Sequence, residues 1–293
     1  FDIAVHTGVA HDHLDYHGDL HAYVASKRRL FSDYPYRAAL INVADASGRD
    51  LATFVGGDHQ LLTYGGEDAD LQVEVVDRKL TGMSLELRLG AERFDLETSL
   101  LGDFNAENLL AVAGVMMLSG LSAREAVERL RRAKPVPGRM ERVAGAGPTV
   151  IVDYAHNPDG LREALVALRS SRNGGGRLWC LFGCGGERDQ AKRQQMGEIA
   201  SGNADVVVLT DDNPRHESPL AIIDQVVSGC SAAVELHRIH DRRQAITFAL
   251  QQAANDDLIL IAGKGDEPDQ LFAAGRWRFD DRRVAMQARQ WRR

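Results

Sequence analysis

The sequence predicts an α/β protein of two domains, the second a small doubly wound domain on a parallel sheet. Three observations carry this. Beyond Pro137, apolar runs of strand length alternate regularly with segments of helical spacing, a pattern that calls for a parallel sheet covered on both faces. The stretch KPVPGRMERV sets two prolines and a glycine between differently patterned halves and reads as a linker. The length, 293 residues, also exceeds that of most single domains. The domains are expected to span residues 1–136 and 137–293.

In the first half, FDIAV reads as a strand entering a His/Asp-rich loop, and HAYVASKRRLF has helical spacing with Lys27 near its middle. RAALINVAD, ATFVGG, LQVEVVDRKL and GMSLELRLGAERFDLETSL read as strands and hairpins turned at glycines. Asn105 is expected to cap a helix over NAENLLAVAGVMMLSG that ends near Gly120. Ser122 and Glu125 have capping-box spacing at the head of SAREAVERLRRA.

In the second half, TVIVDYA, RLWCLFG, ADVVVLT and DLILIAG read as strands. PDGLREALVALRSS, RDQAKRQQMGEIAS, PLAIIDQVVSGC and DRRQAITFALQQA read as helices. Open sheets of this kind bind ligands outside the C-terminal ends of their strands. The loops DYAHNPD, FGCGGERD, TDDNPR and AGKGDE all fall at that edge, so four loops bearing charged groups converge there.

Composition narrows the partners. A formal net charge of −7 argues against a phosphate-backbone binder, and the arginines of RRVAMQARQWRR are expected to form a solvated face of a C-terminal helix. Cys180, Cys184 and Cys230 form no CxxC pair and are too few for a disulfide framework, which points to a reducing compartment. No apolar run reaches the ~20 residues of a membrane helix and no signal peptide is visible. A cytoplasmic location without nucleic-acid or membrane partners is expected.

Several motifs bear chemistry, each with a plainer reading beside it. HDHLDYHG brings His11, His13 and His17 together with Asp12 and Asp15, enough donors for a divalent ion, or else an ordinary polar loop. GCGGERD follows a strand as a phosphate cradle does, but lacks the GxGxxG register, and its glycines equally suit tight turning. AGKGDE holds a Gly-Lys pair outside any GxxxxGK[ST] pattern, and the chain contains no such phosphate loop. In VDYAHNPDG, a carboxylate and an imidazole just past a strand end suit ribose, metal or phosphate, while Asn157-Pro158 also suits a helix entry. TDDNPR is either a turn or a carboxylate-reading loop built around Arg215.

Taken in order, DHLDYHGD with a lysine in the next helix, GDFNAENLLAVAGV, GRMERV, VDYAHNPDGLREAL, LFGCGGERDQAKRQQMGEIA, TDDNPR and AGKGDE resemble the Mur ligases over nearly the whole chain. The resemblance implies the distal part of a central ATPase domain followed by a Rossmann-like doubly wound C-terminal domain. It implies ATP-driven amide formation through an acyl phosphate, with Mg²⁺ neutralising the transferred phosphate. In the family pattern His13 matches a metal ligand, and Lys27 matches a lysine that becomes carbamylated and helps to hold Mg²⁺. Asn105 and Asn108 match asparagines near the adenine, Arg139 and Asp153 match groups that approach the ATP phosphates and ribose, and His156 lies in a nucleotide-side loop.

More narrowly, the motifs are similar to those of members that add meso-2,6-diaminopimelate to UDP-MurNAc-L-Ala-D-Glu. Arg188, Asp212, Asn213, Arg215, Gly263 and Glu267 then match the amino-acid pocket. Arg215 suits an acceptor with a distal carboxylate and would repel the ammonium of lysine. The rival readings are a lysine-adding or folylpolyglutamate-type ligase, a non-catalytic ligand-binding module, and a metal-dependent hydrolase using HDHLDYH. Two departures stand out: Gly8 replaces an amide side chain ahead of the metal-site histidine, and Asp266 stands where a histidine is usual. The family's phosphate loop and UDP-binding domain would precede Phe1, so the chain is expected to be a truncated piece, inactive alone, or a degenerate homologue.

Overall fold

The computed structural model describes residues 1–9, 19–56, 59–172 and 174–290. The chain divides into two compact units, Phe1–Lys134 and Pro135–Arg293.

In the first unit, strands β1 (Ile3–His6), β2 (Ala38–Asn42), β3 (Gln60–Tyr64), β4 (Leu71–Lys79), β5 (Gly82–Leu89) and β6 (Glu92–Thr98) lie side by side in that order. The pairing is parallel from β1 to β4 and antiparallel from β4 to β6. Helices α1 (Leu20–Ser32), α2 (Ala46–Val55), α3 (Asp103–Leu118) and α4 (Ala123–Leu130) complete the unit. α3 seats Leu109, Leu110 and Ala113 against Leu40, Leu71 and Leu87 of the sheet. A Cβ on Gly114 would stand 2.6 Å from Leu40 Cδ1, so this glycine permits the close helix–sheet approach.

Two expectations are corrected here. ATFVGG is not a strand: Ala52–Val55 form the last turn of α2, which Asp45 caps by accepting from Gly48 N at 2.8 Å. Leu51 and Val55, one helical turn apart, are its buried positions, and a segment read from Ala52 onward hides that spacing. Asn105 does not cap α3, which begins at Asp103 after Gly102 turns the chain with φ 88°. Its amide donates instead to Leu101 O at 2.7 Å. The capping box of Ser122 and Glu125 is present as expected.

The second unit holds β7 (Glu141–Val143), β8 (Thr149–Asp153), α5 (Pro158–Ser170), β9 (Leu178–Phe182), α6 (Ala191–Asn203), β10 (Val206–Leu209), α7 (Pro219–Val227), β11 (Glu235–Arg238), α8 (Arg242–Gln252), β12 (Leu258–Ala262), a hairpin β13 (Asp269–Phe272) and β14 (Gly275–Arg278), and α9 (Asp281–Gln290). The sheet order is β11-β10-β9-β12-β8-β7, with β7 alone antiparallel to its neighbour. β9, β10 and β12 are buried along their whole length, as continuous apolar runs in a sheet covered on both faces must be. The C-terminal ends of β8, β12, β9 and β10 therefore lie next to one another, and the four expected loops share one edge.

Four strand segments escaped the sequence reading: QLLTY (β3), ERV (β7), which falls in the stretch read as a linker, ELHR (β11) and the β13–β14 hairpin. All are short, and β11 is half-exposed or exposed throughout, so none offers a strong apolar run. The C-terminal arginines are only partly a solvated face. Arg283 is 81% exposed, but Arg289 turns inward to donate to Pro148 O at 2.9 Å and Val143 O at 3.3 Å, because α9 buries Val284, Ala285 and Ala288 against the unit.

Asp257 is a buried polar hub at the other end of the sheet. It accepts from Trp179 Nε1 at 2.9 Å, Arg177 N at 2.7 Å and Ala254 N at 2.9 Å. Asp257→Ala strands these donors and is expected to cost about 2–3 kcal/mol in urea denaturation followed by Trp179 fluorescence. A loss under about 0.5 kcal/mol, the size of an ordinary surface change, would count against the hub. Among the described residues, no helix is long and apolar enough to cross a membrane.

Candidate functional site

The TDDNPR loop leaves β10 and turns at Arg215, whose φ of 55° lies in the left-handed region that non-glycine residues seldom adopt. Neighbouring segments hold it there: Arg215 N donates to Leu271 O at 3.0 Å, and Nη1 donates to Gly186 O at 2.7 Å and Asn213 O at 3.3 Å. Nε and Nη2 make no hydrogen bond to the described residues. Half of the guanidinium fork thus anchors the residue, and the other half makes no hydrogen bond among the described residues.

Asn213 is engaged within the protein through both ends of its amide. Its Nδ2 donates to Glu267 Oε2 at 2.9 Å, and its Oδ1 accepts from Leu271 N at 3.0 Å and Lys264 Nζ at 3.3 Å. Lys264, the lysine of AGKGDE, is completely buried and also donates to Glu267 Oε2 at 3.0 Å and Asp269 O at 2.6 Å. All three ammonium donors are therefore used inside the fold, and this lysine clasps loops instead of meeting a phosphate. Burial alone would raise the Glu267 carboxyl, but the hydrogen bonds from Lys264 and Asn213 outweigh it and hold the group below its ordinary value. Its Oε1 remains free among the described residues.

Asp212 is buried and makes no side-chain hydrogen bond to the described residues. Burial pushes its carboxyl up against the pull of Arg242 and Lys264. Gly263, with φ 110°, is needed beside it, since a Cβ there would stand 2.7 Å from Asp212 Oδ2. Arg188 is exposed and carries no ion pair among the described residues.

The glycines of GCGGERD are a packing device. Cβ atoms at Gly183 and Gly186 would lie 2.2 Å from Thr210 O and 2.0 Å from Pro214 O, so the loop after β9 runs directly along TDDNPR. Behind it sits Arg193 on α6, fully buried, a residue no motif pointed to. It donates to Gly185 O at 3.0 Å, to both Glu217 oxygens at 2.5 and 2.8 Å, and to Gln225 Oε1 at 2.8 Å.

Asp153 ends β8 with both oxygens engaged, accepting from Met140 N at 2.7 Å and Ala155 N at 2.8 Å. Burial pushes its carboxyl up, and these amides and Arg139 oppose that. The guanidinium of Arg139 lies over the Tyr154 ring at 4.1 Å. His156 meets the same ring edge-on at 4.7 Å, and its carbonyl accepts from Lys192 Nζ at 2.8 Å. Arg139, Tyr154 and His156 form one aromatic–cationic group, with Gly265 against Tyr154 Cβ at 2.8 Å for a built Cβ.

In the first unit, Asn108 Nδ2 donates to Asn105 Oδ1 at 3.1 Å on the first turns of α3. Glu107 between them accepts from Asn42 Nδ2 at 3.4 Å and lines a cleft of about 590 Å³ that also includes Gly65, Gly66, Gln72 and Arg88. Burial, and secondarily the Glu107 charge, pushes the Tyr64 hydroxyl up to about 12. Lys27 is exposed on α1, its Nζ 5.0 Å from the Tyr23 ring centre. His13, with His11, Asp12, Asp15 and His17, lies outside the described residues. Among the described ones, no three His, Cys, Asp or Glu side chains are grouped to hold a metal ion.

Residues 1–116 match the Mur ligase middle domain and residues 138–265 the glutamate ligase domain of Mur ligases. UDP-N-acetylmuramoyl-L-alanyl-D-glutamate--2,6-diaminopimelate ligases of Chromobacterium violaceum and Xanthomonas campestris pv. campestris are each 44% identical, over 290 and 293 residues, covering 98% of this chain and 59% of theirs. The chain belongs to the Mur ligase family. It spans about three-fifths the length of these curated relatives.

Among solved structures, a diaminopimelate ligase of the same name is 36% identical with a TM-score of 0.65 over 99% of this chain and 60% of that one. A MurF ligase from Thermotoga maritima in complex with ADP, 17% identical, shares the fold with a TM-score of 0.73 over 99% of this chain and 62% of that one. The two units are accordingly Mur ligase middle-domain and C-terminal α/β folds. Within this chain, Arg215, Asp212, Asn213, Gly263 and Glu267 come together at one sheet edge. Asn105 and Asn108 pair in the other unit. Signals for Arg193 and Lys264 were absent because a charged residue inside a helix or a glycine loop carries no mark of burial in its local sequence.

Proposed function

We infer that this chain belongs to an ATP-dependent ligase that adds meso-2,6-diaminopimelate to UDP-MurNAc-L-Ala-D-Glu in the cytoplasm, with Arg215 reading the distal carboxylate of the incoming amino acid. The observation that carries this reading is Arg215 itself. It is a strained, braced arginine whose Nε and Nη2 are unused among the described residues, beside a Glu267 that retains a free oxygen among them. Strain held in place by surrounding structure is a pointer to function. A planar fork matches a carboxylate, and Glu267 and Asp212 supply negative charge for an ammonium group, so a zwitterion with an extra carboxylate fits better than lysine.

ATP, when bound, supplies the phosphoryl group that converts a poorly electrophilic carboxylate into one an amine can attack. The proposed contacts toward it are, in the first unit, the exposed amide of Asn108, with Asn105 bonded to it, and, in the second unit, Arg139 and His156, both packed against Tyr154. Asp153 orders the Met140 and Ala155 amides that shape this turn. For Mg²⁺ the proposed holders are His13 and Lys27. The names of the curated relatives and the paired motifs support this assignment.

Arg215→Ala in the full-length enzyme is expected to raise the diaminopimelate KM about ten- to a hundredfold, the equivalent of roughly 1.5–3 kcal/mol of charged hydrogen bonding, and to leave the ATP KM nearly unchanged. Arg215→Lys should recover only part, because an ammonium is a point donor. Steady-state kinetics with diaminopimelate and lysine as competing acceptors give the answer. Unchanged selectivity would reduce TDDNPR to a turn and favour a different acceptor.

A further inference from the structure

We propose that the ion pair between the buried Arg193 and the partly exposed Glu217 is a positioning clasp that sets the direction of the Arg215 guanidinium and so tunes acceptor recognition; this rests on the amino-acid site inferred above. The connection runs through three consecutive residues of the glycine loop. Arg193 Nη2 holds Gly185 O at 3.0 Å. Glu217 Oε2 accepts from Glu187 N at 3.1 Å. Between these two points Gly186 presents its carbonyl to Arg215 Nη1 at 2.7 Å and its N–H to Asn213 O at 3.0 Å. The carbonyl that anchors Arg215 is therefore pinned on both sides by the two ends of one ion pair.

The clasp is built to hold a position. Arg193 is entirely buried, and Glu217, on the same turn as Arg215, takes two of its four guanidinium hydrogen bonds, at 2.5 and 2.8 Å. Gln225 on α7 receives a further bond at 2.8 Å, tying the turn to the helix that follows it. Gly186 has no freedom to retreat, since even a Cβ would come within 2.0 Å of Pro214 O. Loss of charge at Glu217 would loosen Glu187 N and Gly185 O together and let the Arg215 fork swing without removing any group that touches the acceptor.

The test is a double-mutant cycle on the full-length enzyme, with thermal unfolding of each variant recorded alongside. Glu217→Gln keeps the shape and removes the charge, and should raise the diaminopimelate KM roughly five- to thirtyfold with kcat and the ATP KM within about twofold. Glu217→Asp, which keeps the charge on a shorter arm, should fall between. In an Arg215→Ala background, Glu217→Gln should add less than about twofold, because it acts through the residue already lost. Equal effects in both backgrounds, or a fall in kcat with the diaminopimelate KM unmoved, would overturn the clasp alone. A flat diaminopimelate KM in Arg215→Ala by itself would overturn the amino-acid site, and the clasp with it.

Discussion

Lys27→Ala is expected to abolish ligation, lowering turnover on the order of a thousandfold or more, since electrostatic support of a transferring phosphoryl group is worth several kcal/mol and each 1.36 kcal/mol is a factor of ten. The residue is exposed on α1, where its Nζ lies 5.0 Å from the Tyr23 ring centre, so its removal should leave the melting temperature essentially unchanged. That combination separates a chemical role from a structural one. Lys27→Arg is expected to be equally inactive: a guanidinium keeps the positive charge, whereas the proposed role requires an amine that carbamylation turns into an anion. Added short-chain carboxylates should restore part of the activity of Lys27→Ala and none of that of Lys27→Arg. Full activity of either variant would remove Lys27 from the site.

Asp281→Ala is expected to be the most destabilising single change in the second unit, at about 3–5 kcal/mol, because it leaves a buried guanidinium without its counter-charge. Arg242 Nε and Nη2 donate to the two Asp281 oxygens at 2.7 and 2.8 Å, neither residue is exposed, and Nη2 also reaches Ala262 O at 2.9 Å, where β12 ends beside Gly263. The pair joins the start of α8 to the start of α9 behind the amino-acid loops. The double change Arg242→Met with Asp281→Leu should recover much of the loss, since no charge is then stranded. Denaturant unfolding of the two variants and the parent checks this, and an Asp281→Ala cost below about 1 kcal/mol would mean that water reaches the arginine.

The four-loop edge was legible because its signals are local. Continuous apolar runs such as VVVL and LILIA mark strands buried on both faces, and the loops follow from where those runs stop. ATFVGG misled because its buried positions belong to a helix that begins six residues earlier, at Ala46. Asn105 misled because the preceding glycine, through its left-handed φ, starts the helix without a side-chain cap.

By itself the sequence determined the α/β class, the regular second half, the shared edge of four loops and the family motifs, all of which are written in short-range periodicity and spacing. Only the tertiary structure decided which charges are spent inside the fold. Arg215, Arg193, Arg242 and Lys264 look alike as letters. Yet Arg193 meets Glu217 across 24 residues, Arg242 meets Asp281 across 39, and Lys264 meets Asn213 across 51, while Arg215 keeps half its fork free among the described residues. The reason is the cost of an unpaired buried charge, which is offset only by partners that folding brings from far along the chain.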